Sequence, residues 1–423
     1  MHPSPKRLKR RYYGGRNLNR VLTIEELRRI AHRRVPNFAF EYVEGGAEDE
    51  ATLRWNQEAF GAIRLVPRTL VDTSARHQRV TLFGRETSAP LVIAPTGLNG
   101  LLWHRADVAL ARAAAAAGIP FTLSTVSNVR LEEVAAEAGG RLWMQLYVMR
   151  DRAIARDIVA RAERAGYEAL VFTSDANVFG HREWDKRSYR ALARLNWRNL
   201  LDVAQHPAWV RNVLVPHGFP RFENIVDYLP PEARTAVSGV GYVPKLFAPD
   251  ISWDDVAWLR DAWPRKLILK GVLNVADAER AVELGCDGIV LTNHGGRQLD
   301  SCVAAVEVLP TIARAVGART TVIVDGGFRR GTHVVKAMAL GAHAVMLGRA
   351  TLYGVAAAGE AGASRALAIL TSEIDRVLGQ LGCRSFAEVD ESLLAPGTGT
   401  HAPVPRRAPA SGPRASARRR ETR

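Results

Sequence analysis

Cysteine is scarce in this 423-residue chain. Its three cysteines are Cys286, Cys302 and Cys383, which stand far apart and lack the close Cys/His spacing of a metal site. So few and so scattered thiols indicate a reducing compartment. We therefore expect no thiol chemistry and no metal, and we place the protein in the cytoplasm.

Long hydrophobic runs are also missing. No uninterrupted apolar stretch reaches the roughly 18 residues that a membrane-spanning helix requires, and the basic N-terminus lacks the apolar core of a secretory signal. With 47% apolar and 24% charged residues, the composition is that of a soluble globular protein. The sequence therefore predicts a folded protein without a spanning helix.

Acidic residues are almost absent from both ends of the chain. Residues 1–20 contain seven Lys/Arg and no acid, and residues 396–423 contain seven Arg against Glu421, so the ends hold most of the net charge of +15. Such tails could contact nucleic acid or an anionic membrane. Because they lack interleaved aromatic residues and an apolar core, we interpret both as disordered extensions and expect no nucleic-acid partner.

Between the tails, short apolar runs alternate with Ala-rich or amphipathic stretches, as in successive βα units. This rhythm predicts one α/β domain over 21–395, a (β/α)8 TIM barrel with an N-terminal helical extension. About 90 residues separate the fourth and fifth runs, so we predict an insertion after strand 4, at about 187–250. The eight candidate strands are 91–95, 120–124, 142–148, 169–175, 266–270, 288–293, 321–327 and 344–348.

One segment of the insertion has the pattern of a basic amphipathic helix. Its apolar stripe contains Ala193, Trp197, Leu200, Leu201 and Ala204, and its polar stripe contains Arg190, Arg194, Arg198 and Asp202. One interpretation is a helix that covers the side of the barrel. The other is a peripheral membrane contact through residues 187–215, supported by Trp209 and the apolar run 213–215.

Polar residues stand at nearly every predicted strand end, where the active sites of such barrels lie. After strands seven and eight, glycines accompany Arg329 and Arg349. Because glycine has no side chain, its backbone N–H can approach a phosphate closely. The guanidinium groups of arginine add charge-assisted hydrogen bonds to the phosphate. The sequence therefore predicts a phosphorylated cofactor at this end of the barrel.

The run TNHGGRQLD (292–300) is the most specific motif, and it resembles the FMN-dependent 2-hydroxy acid dehydrogenase and oxidase family. The resemblance extends from about Val21 to Leu394. Within the family the chain is most similar to members that oxidise L-mandelate, through LSTVSN (123–128), GRATLYG (348–354) and IDRVLGQLGC (374–383). Other family-like blocks are FEYVEGGAEDE (40–50), APTGLNG (94–100), QLYV (145–148), ILKG (268–271), DGGFRRG (325–331) and LGRA (347–350).

The resemblance implies a set of catalytic residues. His294 would be the general base for the hydroxy acid, and Asp175 would orient it and stabilise the imidazolium that forms. Lys270 would lie near the N1 and O2 edge of the flavin, where a fixed positive charge favours the reduced anion. A buried structural histidine and a buried Lys–carboxylate pair are the structural alternatives.

The resemblance also implies how substrate and cofactor bind. Arg182 and Arg297 would hold the substrate carboxylate, and the hydroxyls of Tyr42 and Tyr147 would reach the substrate. The structural alternatives are surface ion pairs for the two arginines and burial in the core, without a substrate contact, for the two tyrosines. The residues that would bind FMN are Thr96, Gly97, Ser124, Gln145, Thr173, Lys270, Asp325, Gly327, Arg329, Gly348 and Arg349.

Two departures from the family pattern bear on substrate and electron acceptor. Val126 replaces the Trp of glycolate oxidases, which predicts room for an aryl group such as that of mandelate, and Phe179 would stack there or narrow the pocket. Gly97 replaces the usual Ala of oxidases, which favours a quinone or another carrier over oxygen. The alternative is an oxidase that converts lactate or glycolate and forms peroxide. We also expect a homotetramer, peripheral on the inner face of the cell membrane.

Overall fold

The computed structural model describes residues 11–184, 187, 197–234, 239 and 241–397. The rest of both predicted tails, 1–10 and 398–423, lies outside the described residues. Within the predicted N-terminal tail, Leu18–Arg20 forms a 3-10 turn and Tyr13 donates its backbone N–H to Glu26 Oε1 at 2.8 Å. The described structure therefore begins about ten residues before the predicted start of the domain.

A closed barrel of eight parallel strands forms the centre of the molecule, in the order β10-β3-β4-β5-β6-β7-β8-β9. This confirms the predicted (β/α)8 fold and all eight candidate strands. The strands end one to two residues before the predicted runs do, except for β7, which is longer. They are β3 Leu91–Ile93, β4 Phe121–Leu123, β5 Leu142–Leu146, β6 Ala169–Thr173, β7 Lys266–Val272, β8 Gly288–Leu291, β9 Thr321–Asp325 and β10 Ala344–Leu347.

The barrel interior is filled by side chains, so it is a packed core. Val92, Val171, Ile268 and Val290 belong to this interior cluster. The opposite end is closed by a hairpin of β1 Val80–Leu82 and β2 Arg85–Thr87, whose Leu82 joins the cluster. Because strands of a parallel barrel are buried on both faces, their sequences are continuous apolar runs, which explains why they were recognisable.

Helices surround the barrel, and the predicted helical stretches 105–117, 151–165, 275–284 and 332–340 are confirmed to within a residue at each end. The last helix leaves helical geometry at Ala358 and Gly359. Around the barrel the helices are α4 Ala106–Ala116, α5 Leu131–Ala138, α6 Arg152–Arg164, α8 Trp253–Ala262, α9 Val275–Glu283, α10 Ala305–Val316, α11 Gly331–Ala339 and α12 Arg349–Leu381.

The predicted N-terminal helical extension is present as α1 Ile24–Arg34, α2 Asn37–Glu44 and α3 Ala51–Glu58. Helix α1 begins at Thr23, whose side chain accepts the backbone N–H of Glu26, and its apolar face packs on α12. Helix α2 ends at the barrel mouth, which places Tyr42 there.

The insertion between β6 and β7 contributes one longer described helix, α7 Trp197–Ala204. Three of its apolar residues face outward, because Trp197 is 69%, Leu200 52% and Leu201 53% exposed. Asp202 instead faces the body and accepts the backbone N–H of Asn37 at 2.8 Å. The predicted stripe positions 190, 193 and 194 lie outside the described residues. Short helical turns follow at Pro207–Trp209, Val210–Leu214, Val215–His217 and Val243–Leu246.

The membrane contact predicted for Trp209 and Val213 is wrong. Trp209 is 2% exposed, packs edge-on against Phe38 with ring centroids 5.6 Å apart, and donates its indole N–H to Leu101 O at 2.7 Å. Val213 is buried as well. These two residues therefore anchor the insertion to the barrel. Within the described part of the chain, no helix combines the length and the apolar character needed to cross a bilayer.

Candidate active site

A cavity of about 760 Å³ opens at the carboxyl ends of the barrel strands, within the range of ordinary ligand sites. It is lined by residues from α2, the strand ends and the insertion. Four predicted residues, Asp175, Ser124, Gln145 and Thr173, lie behind its wall. The predicted residues that line it are Tyr42, Thr96, Gly97, Tyr147, Arg182, Lys270, His294, Arg297, Asp325, Gly327, Arg329, Gly348 and Arg349.

The predicted base and its orienting carboxylate are in contact. His294 Nδ1 lies 3.0 Å from Asp175 Oδ1, although the two residues follow different strands, β8 and β6. The backbone of His294 is left-handed, with φ of 59°, and its N–H donates to Thr292 Oγ1 at 3.0 Å. When Nδ1–H donates to Asp175, Nε2 is left as the proton acceptor on the cavity side.

Burial and charge set the protonation states of this pair. Burial lowers the pKa of His294, and Lys270 and Arg182 lower it further, against the opposing effect of Asp175. Burial alone would raise the pKa of Asp175, but the charges of His294 and Lys270 hold it below its usual range. A neutral imidazole beside an ionised carboxylate is the resting state that a general base needs.

Two arginines and two tyrosines surround the open side of His294. Arg182 donates from Nε to Arg297 O at 3.0 Å, so the two arginine loops are in direct contact. The Arg297 guanidinium lies 5.0 Å from the ring centroid of Tyr42 and donates to Tyr42 O at 2.8 Å. The Tyr147 hydroxyl lies 3.5 Å from His294 Nε2, and burial raises its pKa, so it remains protonated. This arrangement suits a carboxylate ligand next to the base.

Lys270 places a buried cation against the cavity. It is 3% exposed at the end of β7, and within the described part of the chain nothing accepts a hydrogen bond from its Nζ. Its charge acts on both Asp175 and His294. A buried ammonium without a hydrogen-bond partner is costly, so this position calls for a polar or anionic ligand in the cavity.

Ser124, Gln145 and Thr173 form a buried hydrogen-bonded row across β4, β5 and β6. Ser124 Oγ donates to Gln145 Oε1 at 3.2 Å, and Gln145 Nε2 donates to Thr173 Oγ1 at 3.1 Å. The row lies directly behind the cavity wall, so these polar groups satisfy one another in the structure. Their predicted contact with a flavin edge stays a prediction.

The ends of β9 and β10 form an open cradle. Gly326 and Gly327 have positive φ of 112° and 80°, and a Cβ at Gly327 would collide with Asn56 O. A Cβ at Gly348 would meet nothing within 4 Å, because it faces open space. Arg329 lines the same space, and among the described residues its one hydrogen-bond acceptor is the neighbouring Phe328 O. Glycine backbone beside one available guanidinium suits a phosphate.

Arg349 has a second task besides the predicted phosphate contact. Its guanidinium donates to Val43 O at 2.7 Å, Gly295 O at 2.8 Å and Gly45 O at 2.9 Å. It thereby joins the end of α2 to the His294 loop. Burial, with the nearby charges of Arg297 and Arg329, lowers its pKa to about 10, so it stays charged at neutral pH.

Sequence reasoning missed the contribution of the insertion to the cavity. Phe222, Val243, Pro244 and Phe247 line its outer wall, and the Phe247 ring stacks on Tyr147 with centroids 4.6 Å apart. Their signal in the sequence is weak, because they stand in an irregular segment without periodicity. Gln298 was also missed, although it stands inside the most specific motif.

Comparisons with known proteins identify the family of the chain. A family model described as FMN-dependent dehydrogenase matches residues 31–396. The chain is 42% identical over 375 residues to an (S)-mandelate dehydrogenase of Pseudomonas putida, covering 88% of this chain and 94% of the relative. It is equally identical over 375 residues to an L-lactate dehydrogenase of Caulobacter vibrioides, covering 89% and 98%. The crystal structure of the monotopic membrane protein (S)-mandelate dehydrogenase superposes with a TM-score of 0.84 at 41% identity, covering 89% and 99%.

The fold and the site together define a barrel oxidoreductase whose mouth binds a phosphorylated cofactor. The chain belongs to the FMN-dependent dehydrogenase family, and its cofactor is FMN.

The residues present fit that cofactor. The buried ammonium of Lys270 suits the polar edge of a flavin, and the open space at Gly348 beside Arg329 suits a phosphate. At Gly97 a Cβ would collide with Val126 Cγ2, so a larger residue there would require the Val126 side chain to move.

Proposed function

We propose that the protein oxidises an L-2-hydroxy acid with an aryl side chain, (S)-mandelate or a close relative, to the 2-keto acid. The observation that carries this proposal is the His294–Asp175 pair facing Arg182 and Arg297 across one cavity. The related mandelate and L-lactate dehydrogenases support the 2-hydroxy acid class.

In the proposed reaction, Arg182 and Arg297 hold the substrate carboxylate by charge-assisted hydrogen bonds. His294 Nε2 takes the hydroxyl proton, and the Asp175 carboxylate stabilises the imidazolium that results. The hydroxyls of Tyr42 and Tyr147 orient the oxygen atoms of the substrate. The hydrogen on the hydroxyl-bearing carbon would leave with its bonding electrons as a hydride, bound FMN would supply the acceptor for it, and Lys270 would stabilise the negative charge that the flavin gains.

The apolar wall supports an aryl substituent. Val126 and Phe247 line the cavity, and the Phe179 ring lies 5.3 Å from the Phe247 ring centroid. Aromatic side chains at this spacing favour packing against a further ring. We propose that the substrate phenyl group contacts this wall.

For the electron acceptor we propose a quinone or another carrier in preference to oxygen. The support is Gly97, where oxidases of the family usually have Ala and where a Cβ would press on Val126. A lactate- or glycolate-type oxidase that forms peroxide is the alternative, and no structural observation favours it.

The test is the visible spectrum of the purified holoenzyme during anaerobic addition of (S)-mandelate. We expect the flavin absorption to bleach with one equivalent of (S)-mandelate, while lactate and glycolate act more slowly and (R)-mandelate leaves the band unchanged. Stopped-flow reoxidation should be faster with a quinone analogue than with oxygen. Bleaching by lactate but not by mandelate would overturn the aryl assignment, and a high peroxide yield would overturn the acceptor assignment.

We also propose that the enzyme is peripheral on the inner face of the cell membrane, through the exposed apolar side of α7. The monotopic description of the related mandelate dehydrogenase supports this location. The proposed domain spans 21–395, and Tyr13 and Leu18–Arg20 extend its described structure towards the N-terminus. Family resemblance supports assembly as a homotetramer.

A further inference from the structure

Gln298 connects two loops of the site through one side-chain amide. It is 7% exposed and directly follows Arg297 in the loop after β8. Its Nε2 donates to Asp175 O at 2.7 Å and to Val178 O at 3.3 Å. Its Oε1 accepts from Gly180 N at 3.0 Å and from Arg182 Nη2 at 3.4 Å. All four hydrogen-bonding positions of the amide are thus used on the loop after β6.

The two ends of that loop have different tasks. Asp175 at its start orients His294, whereas Arg182 at its end belongs to the proposed carboxylate clamp. Between them the loop packs tightly on the other one, because a Cβ at Gly180 would collide with Arg297 O and lie within 2.7 Å of Gln298 backbone. The position of the loop between 175 and 182 therefore depends on the Gln298 amide.

A 2-hydroxy acid places strict demands on this geometry. Its carboxylate and its hydroxyl stand on adjacent carbons, so the base and the clamp must keep one separation. His294 and Arg297 share the loop after β8, but Asp175 and Arg182 come from the loop after β6. The base pair and the carboxylate clamp each combine one residue from each loop, so a connection between the two loops is needed to keep base and clamp in register. Positional errors of about 1 Å reduce rates markedly.

We propose that Gln298 is a positioning residue that holds Arg182 and Asp175 in register with His294 and Arg297, and thereby sets substrate affinity. This inference rests on the proposed function. Only an amide fits the role, because the loop offers two carbonyl acceptors and two N–H donors to one side chain. A carboxylate would lose both donations, and a thioether of the same length would lose all four contacts.

The experiment compares Gln298→Met and Gln298→Glu with the unchanged holoenzyme. Gln78→Met and Gln78→Glu serve as matched controls, since Gln78 is a partly buried glutamine that donates to Thr371 O, outside the cavity lining. Each protein is measured for flavin content, for KM and kcat, and for the Kd of the 2-keto acid product by flavin difference spectra.

We expect Gln298→Met to raise both KM and the Kd of the keto acid about tenfold to a hundredfold, the effect of losing aligned charge-assisted hydrogen bonds. Flavin content should stay full and kcat should fall by less than tenfold. Gln298→Glu should also move the acid limb of kcat/KM to higher pH, because an added negative charge raises the pKa of His294. The Gln78 controls should match the unchanged enzyme.

A KM and a keto-acid Kd within twofold of the unchanged enzyme in both Gln298 variants would overturn the positioning role. Loss of flavin with unchanged KM in the remaining holoenzyme would also overturn it, because that is the mark of a purely structural residue. If the unchanged holoenzyme neither bleached with hydroxy acids nor bound the keto acid, the proposed function itself would fail, and the inference with it.

Discussion

The imidazole of His294 is neutral because of its burial and the nearby positive charges, whereas its neighbour Asp175 has the opposite effect. Burial and the charges of Lys270 and Arg182 favour the neutral ring, while Asp175 partly offsets them. Below the pKa of His294, which lies under its ordinary value, the base is protonated and cannot accept a proton. We therefore expect kcat/KM to be nearly flat around neutral pH and to fall on acidification.

Replacing Asp175 by Asn tests this assignment. The change removes the charge that raises the pKa of His294, so the acid limb of kcat/KM should move to lower pH. An amide N–H facing Nδ1 would also force the proton onto Nε2, where the base must accept. The rate should fall by about 10²- to 10⁴-fold, the usual contribution of general base catalysis. Steady-state pH profiles of holoenzyme with matched flavin content measure both effects, and an unshifted limb at near-normal rate would contradict the role.

Among the elements, the loops after β3 and β4 are held together from below by the first turn of α4. The buried carboxylate of Asp107 accepts from Asn99 Nδ2 at 2.7 Å, Ser127 Oγ at 2.7 Å and Asn128 N at 3.2 Å. Asn99 Nδ2 also donates to Thr96 O at 3.0 Å. These loops contain Gly97 and Val126, so one carboxyl group supports the wall of the cavity. Burial raises the pKa of Asp107.

Substitution of Asp107 measures how much this support contributes. Asp107→Ala leaves several buried donors without an acceptor, which should lower the free energy of unfolding by about 2–4 kcal/mol. Asp107→Asn keeps one acceptor and should cost about half as much. Urea unfolding of the holoenzyme reports the loss, and Asp261→Ala on the exposed side of α8 is the control. Equal midpoints for Asp107→Ala and the control would show that the loops are held by other contacts.

The elements also show which features are visible in a sequence. Buried parallel strands are short apolar runs, so all eight could be located, and the polar residues just beyond them were assigned to the mouth. Trp209 was misplaced because an apolar residue in an irregular segment has the same pattern whether it meets lipid or Phe38. Phe247 and Gln298 were missed since their roles depend on which loops meet across the barrel, and chain order alone does not specify those contacts.

In the whole molecule, the insertion has two faces with different partners. One face closes the cavity through Phe247 and is anchored by Trp209, while α7 presents Trp197, Leu200 and Leu201 outward. Val203 packs on the core, and Asp202 fixes the helix to the start of α2. The contacts on the inner side of α7 therefore keep its apolar face exposed. This geometry favours the membrane interpretation over a helix that covers the barrel.

A triple change to serine at Trp197, Leu200 and Leu201 tests that interpretation. Burial of each large apolar side chain contributes about 1.5–3 kcal/mol, so its loss should lower partitioning into membranes by at least about a hundredfold. Flavin content and turnover with a soluble dye acceptor should not change, because these side chains lie outside the cavity lining. The matched control replaces three other exposed apolar residues, Leu22, Val66 and Leu70, by serine. If sedimentation with vesicles is the same for the α7 variant and the control, the apolar face of α7 is not the membrane contact.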